Sequence, residues 1–152
     1  MKTIGYAAHS ADAVMVPYHF ERRALRPNDV AIEIMYCGVC HSDLHTVNGD
    51  WGPQPYPLVP GHEIVGVVQA VGPDVTRYKA GDSVAVGCMV DSCGHCPSCH
   101  EGEEQYCVPG MTQTYGSPDP KGAAVGQKMT QGGYATAIVV DQNYVVTIPD
   151  SI

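Results

Sequence analysis

Four cysteines crowded into one short stretch constrain this chain more than anything else in it. Residues 91–107 read DSCGHCPSCHEGEEQYC, which sets Cys93, Cys96, Cys99 and Cys107 in a C-x2-C-x2-C-x7-C array. Thiolates gathered this closely must either share a metal, build an iron–sulfur cluster or pair as disulfides. Four thiolates at about 2.3 Å around a tetrahedral Zn²⁺ make a closed structural site, with no coordination position left for substrate. Two-residue gaps let backbone amides point at the sulfurs, and Gly94 and Pro97 suit the tight turns this needs. A bacterial ferredoxin run ends with a three-residue gap and Cys-Pro, whereas here the gap is seven residues and Val108 follows. Disulfides require an oxidising compartment. The N-terminus, MKTIGYAAHSADAV, has one lysine and no continuous apolar run, so it does not read as a secretory signal. The expectation is a cytoplasmic chain with reduced thiols and a structural zinc lobe at about residues 88–110. His95 and His100 are then solvated loop residues.

The remainder reads as mainly β. The 152 residues suffice for one domain with a real core, taken as 1–152. In DVAIEIMY, Val30, Ile32, Ile34 and Tyr36 alternate with Ala31, Glu33 and Met35, as in a half-buried strand. EIVGVVQAVG (63–72) reads as a strand buried on both sides, with Gly66 marking a bend or a close backbone approach. SVAVGC (83–88), YATAIVV (134–140) and YVVTI (144–148) add further strands, and Gly/Pro/Asp punctuation separates them. HSDLHTVNG, after Cys40, makes one or two helical turns ending near Gly49, and residues 108–131 read as one long surface loop. At the end, Pro149 and Asp150-Ser151 look like the start of a connection into another element. A formal charge of −8 argues against non-specific binding to nucleic acid or anionic membrane, and no apolar run reaches the roughly 20 residues that span a bilayer.

A second constellation lies upstream of the four cysteines. CGVCHSDLH (37–45) offers Cys37-Gly-Val-Cys40, whose spacing alone permits a redox pair, half of a metal site or a buried turn. YPLVPGHEIVG (56–66) places Gly61-His62-Glu63 just before a strand. Cys40, His62 and Glu63 are all competent zinc ligands, and a Cys/His pair that leaves positions open suits a catalytic zinc. Asp43 or Ser42 can equally be no more than a cap on the turn after Cys40, and Trp51 no more than a loop anchor. Cys37 and Cys88 read as small buried hydrophobes.

Taken in order, Cys40-His41-Ser42-Asp43, the GHExxGxxxxxGxxV run (Gly61, His62, Glu63, Gly66, Gly72, Val75), Gly81-Asp82-Ser83-Val84 and the four-cysteine lobe resemble one family across essentially the whole chain. That family is the N-terminal, GroES-like catalytic domain of zinc-dependent alcohol dehydrogenases of the medium-chain dehydrogenase/reductase superfamily, in wording most similar to the cinnamyl alcohol dehydrogenase-like aldehyde reductases. The resemblance implies a partly open β-barrel with short helices and a zinc-binding lobe. It implies Cys40 and His62 as catalytic zinc ligands, Glu63 beside the metal and able to exchange onto it, and Asp43 as the carboxylate orienting His62. It also implies a Ser42/His45 proton relay, His41 near the cofactor pyrophosphate, and Trp51 in a pocket for primary alcohols and aldehydes. A second zinc in the lobe, NADP(H) rather than NAD(H), and a homodimeric or homotetrameric full-length protein follow from the same likeness. Family members also carry a Rossmann domain with a third ligand to the catalytic zinc near its entry, and no GxGxxG occurs in these 152 residues. The chain is therefore expected to be an N-terminal portion that is inactive alone. The competing expectation is a non-enzymatic zinc-binding module that acts by holding a partner.

Overall fold

The computed structural model describes residues 1–149 and 151; the expected onset of a further element at Asp150-Ser151 rests on Asp150 and lies outside the described residues. Its centre is an antiparallel five-stranded sheet in the order β8-β3-β4-β5-β9. These strands are β3 (Asp29–Cys37), β4 (Ile64–Val71), β5 (Ser83–Val86), β8 (Ala137–Asp141) and β9 (Val145–Thr147). The sheet curls into the partly open barrel that the sequence led us to expect. Val30, Ile32, Ile64, Val68, Val84, Val86, Ile138, Val140 and Val145 fill its concave side, each worth about 1.5–3 kcal/mol of apolar burial. Tyr78 closes this core and donates its hydroxyl to the Val145 carbonyl.

Two details of the strand reading are corrected. β4 is buried on one face only: Ile64, Gly66 and Val68 point inward, whereas Val65 is exposed. The apolar run reflects β-branched preference for extended backbone as much as burial. In β3 the alternation fails at Tyr36, which is 74% exposed. A register shift against β4 between Ile34 and Tyr36 puts one extra residue into the strand and turns Tyr36 outward. Gly66 does mark a close approach, since a Cβ there would stand 2.2 Å from the Glu33 carbonyl oxygen.

A second layer, β1 (Lys2–Ala7) paired with β2 (Val16–Glu21), was not foreseen. It meets the rest of the barrel through a bridge between Gly5 and Ala135 and through the Arg22 guanidinium, which donates to the carbonyls of Gln131, Gly132 and Ala137. A buried ionic network closes the same end. Asp29, fully buried, receives Arg23 and Arg26, and Arg26 reaches on to Asp91 at 2.7 Å. The cysteine-rich segment leaves the barrel through β6 (Met89–Asp91), turns through α2 (Pro97–His100) and returns at β7 (Thr112–Gln113), which pairs with β6. The segment expected as one surface loop is partly internal: Thr114, Tyr115 and Thr130 are buried, and Thr114 donates to the Gly87 carbonyl. Among the described residues, no helix is long and apolar enough to cross a membrane.

Candidate functional site

The chain runs out of β3 at Cys37, turns, and enters the helix α1 (His41–Asn48) with Cys40 as its N-cap. Asp43, in the first turn, accepts the Cys40 N–H at 3.0 Å, and Gly49 ends the helix in the left-handed region at φ 77°. So the capping reading of Asp43 holds, and the same carboxylate does more. Its other oxygen accepts the Gly61 N–H at 3.1 Å and faces His62 Nδ1 at 3.2 Å. The Tyr134 hydroxyl donates to Asp43 at 2.6 Å. Burial alone would raise the pKa of Asp43, but these donors, together with the Tyr115 hydroxyl, hold it below the ordinary carboxylate range. With Nδ1 on Asp43, His62 keeps Nε2 free as a ligand atom.

Cys40, His62 and Glu63 each offer a donor atom, and the three lie within 4.8 Å of one another. Glu63 reaches this position by lying across Gly38, where a Cβ would stand 2.2 Å from Glu63 Oε2. The Gly38 N–H also donates to the Glu63 carbonyl at 2.9 Å. The glycine inside Cys37-Gly-Val-Cys40 thus makes room for the carboxylate. Cys37 packs toward the core, and burial pushes its thiol pKa up, opposite to what a redox thiol needs. Cys40 shares its neighbourhood with His62 and Glu63. One soft thiolate, one imidazole and one carboxylate form a borderline donor set that suits zinc and leaves coordination open.

A cavity of about 460 Å³ opens beside His62, lined also by Ser42, Thr46, Trp51, Gln54, Cys88, Met111, Gln113, Thr114, Tyr115 and Gly116. Cys88 is exposed on this wall, which corrects the expectation that it is buried. Ser42 Oγ lies 3.6 Å from Cys40 Sγ. His45 holds Asp50 through Nδ1 at 2.8 Å, and its ring lies 4.7 Å from His41 and 5.1 Å from Trp51. Trp51 itself is 64% exposed and forms the rim. Asp50, Tyr115, Tyr134 and Gly38 went unread in the sequence. The local offset from His45 to Asp50, across the turn that ends α1, was the one available signal among them.

The second cluster is the cysteine lobe, where the sulfurs of Cys93, Cys96, Cys99 and Cys107 all lie within 4.8 Å of one another. The Cys93–Cys99 and Cys96–Cys99 separations are 3.8 and 3.5 Å. Two sulfurs on a tetrahedral zinc at 2.3 Å stand about 3.8 Å apart, so the four donors fit such an ion. The sulfurs also receive amides: His95 N–H and Cys96 N–H on Cys93, Val108 N–H on Cys96, and Cys93 N–H on Cys107. The Val108 amide leads in drawing the Cys96 thiol down to about 6, and the His95 amide lowers Cys93. The Cys93 amide lowers Cys107 as well, yet burial and the neighbouring thiols push it up to about 11. His95 and His100 stay exposed outside the cluster.

The alcohol dehydrogenase GroES-like domain family matches residues 26–150. The NADP-dependent alcohol dehydrogenase C of Mycobacterium tuberculosis is 54% identical over 151 residues, 99% of this chain and 42% of that protein. Cinnamyl alcohol dehydrogenase 7 of Oryza sativa subsp. japonica is 49% identical over 99% of this chain and 38% of its own length. The crystal structure of CAD from Helicobacter pylori complexed with NADP(H) matches 97% of this chain and 42% of that one, with a TM-score of 0.90 at 41% identity. The chain spans about two fifths of the length of these relatives.

Proposed function

Because this chain belongs to the alcohol dehydrogenase GroES-like domain family, we propose that it forms the substrate-binding, zinc-dependent part of an NADP-linked dehydrogenase that interconverts primary alcohols and aldehydes. The observation that carries this reading is the convergence of Cys40, His62 and Glu63 donor atoms, with His62 on the wall of a cavity that also presents Ser42. Zinc held by Cys40 and His62, with Glu63 beside it, would lend Lewis acidity to a substrate oxygen, and NADP(H) would exchange the hydride.

The chain's own residues divide the remaining work. Asp43 fixes the ring plane and tautomer of His62 through Nδ1. Ser42, beside Cys40 on the cavity wall, would accept the hydroxyl proton of a substrate oxygen at Oγ as it releases its own, and the reverse when the carbonyl is reduced. His45, anchored by Asp50 at Nδ1 and two-fifths exposed, exchanges that proton with solvent at Nε2. His41, exposed in the first turn of α1, offers a donor to a cofactor phosphate. Trp51 and Met111 give the wall flat and flexible apolar surface, which would suit an unbranched carbon next to the reacting oxygen. In the lobe, Cys93, Cys96, Cys99 and Cys107 would hold a zinc with all four positions filled by sulfur, leaving none for substrate. The NADP dependence in the names of the relatives supports NADP(H) as the cofactor.

Metal analysis with an NADPH-coupled aldehyde assay tests the reading. These 152 residues are expected to hold one zinc tightly at the lobe and a second weakly, and to turn over aldehyde only when a dinucleotide-binding domain is supplied. Robust turnover by the 152 residues alone would contradict this division of labour. No turnover with zinc and that domain both present would contradict the enzyme itself.

A further inference from the structure

Residues 131–134 run alongside the segment that delivers His62. Gln131 Oε1 accepts the Val59 N–H at 2.6 Å, the Gly132 N–H donates to the Val59 carbonyl, the Gly133 N–H to that of Gly61 and the Tyr134 N–H to that of Pro60. Tyr134 is tied from behind as well, because its own carbonyl accepts the Tyr6 N–H of β1 at 2.8 Å. Its ring packs against Gly61 along one edge: a Cβ there would meet two ring carbons at 2.6 and 2.9 Å. From that seat the hydroxyl reaches Asp43 Oδ2, while Oδ1 of the same carboxylate faces His62. The 2.6 Å contact from Tyr134 is the shortest Asp43 makes, and the 3.2 Å contact to His62 is longer. The Cys40 amide holds Oδ2 and the Gly61 amide Oδ1, and the phenolic bond adds the shortest contact, on Oδ2.

We propose that Tyr134 is a positioning residue for the Cys40–His62 metal site. It holds the Gly61 backbone with its ring and sets the Asp43 carboxylate with its hydroxyl. The inference rests on the metal-site reading above. Tyr134 stays a donor because burial and the Asp43 charge push its phenol upward, away from ionisation.

Tyr134→Phe separates the two contacts, since it keeps the ring on Gly61 and deletes only the hydroxyl. With the lobe first filled by zinc, Co²⁺ is titrated into the wild-type protein and the variant, and the ligand-field bands are recorded. About a tenfold loss of Co²⁺ affinity is expected in the variant, with shifted bands and unchanged zinc retention at the lobe. Wild-type affinity and bands in Tyr134→Phe would overturn this inference alone. No Co²⁺ uptake by the wild-type protein would overturn the metal site together with the inference. A measurement on the unaltered protein covers poor folding of the variant: a Tyr134 hydroxyl proton held by a buried carboxylate exchanges slowly enough to be seen by nuclear magnetic resonance. Fast exchange there would overturn the inference.

Discussion

Asp29→Asn removes one charge from the buried network without opening a cavity, so its cost isolates the electrostatics. Asp29 has no solvent exposure and accepts Arg23 through both Nη atoms, Arg26 through Nε and Nη2, and the Arg26 backbone N–H at 2.6 Å. In the variant Arg26 keeps Asp91 at 2.7 Å, whereas Arg23 keeps long contacts to the Ala24 and Val139 carbonyls at 3.4 Å and, as its remaining carboxylate among the described residues, Asp119 at 3.7 Å from a guanidinium nitrogen that has no hydrogen-bond partner. An amide NH₂ must also face guanidinium donors on one side. Leaving one partner of a buried pair uncompensated costs about 3–5 kcal/mol, a large share of the roughly 5–15 kcal/mol that holds a domain together. At about 2–4 °C per kcal/mol for a chain of this size, Tm should fall by about 6–20 °C. The sign with pH is also fixed. Burial alone would raise the Asp29 pKa, but the Arg23 and Arg26 bonds win and hold it below the ordinary carboxylate value. Its contribution is therefore fully present above about pH 4 and lost as pH falls through the lowered native pKa. Thermal unfolding followed by circular dichroism, at neutral pH and again near pH 3, should show the gap between wild type and Asp29→Asn narrowing in acid. A loss below about 1 kcal/mol at neutral pH, or a gap that widens in acid, would refute this account of the network.

Three further outcomes are expected. Gly66→Ala should lower stability by about 1–3 kcal/mol in denaturant unfolding, because its methyl would stand 2.2 Å from the Glu33 carbonyl and 2.6 Å from Ile32 Cγ2. Cys107→Ser should abolish tight zinc retention, read by mass spectrometry of the native protein, since it removes one of the four lobe sulfurs. Ser42→Ala, assayed with a dinucleotide-binding domain present, should lower aldehyde turnover by about 10²–10⁴-fold while zinc content stays unchanged.

What could be read in the sequence was whatever depends on short spacing. The cysteine array binds its own neighbourhood, so the closure of Cys93, Cys96, Cys99 and Cys107 and the amides aimed at their sulfurs were legible before any fold was known. Cys40, His62 and Glu63 were legible as residue types in a recurring order. The supports were not. Tyr134 reaches Asp43 across 91 residues of chain, and nothing local announces it. Tyr115 was assigned to a surface loop because Gly, Pro and Thr surround it, yet the pairing of β7 with β6 folds that loop over the cavity. The first hairpin escaped for another reason: in β1 the inward residues are Thr3, Gly5 and Ala7, while Ile4 and Tyr6 face out, so the usual alternation is inverted. In β4 the valines read as two-sided burial, but the outer face of that strand is exposed at Val65.

The central claim is that the chain builds two metal sites of different kinds, one closed by four thiolates and one open at Cys40 and His62. Anomalous diffraction at the zinc absorption edge from zinc-soaked crystals tests it most directly. Two peaks are predicted, one enclosed by the Cys93, Cys96, Cys99 and Cys107 sulfurs, the other between Cys40 Sγ and His62 Nε2 with Glu63 beside it. A single peak confined to the lobe would contradict the account.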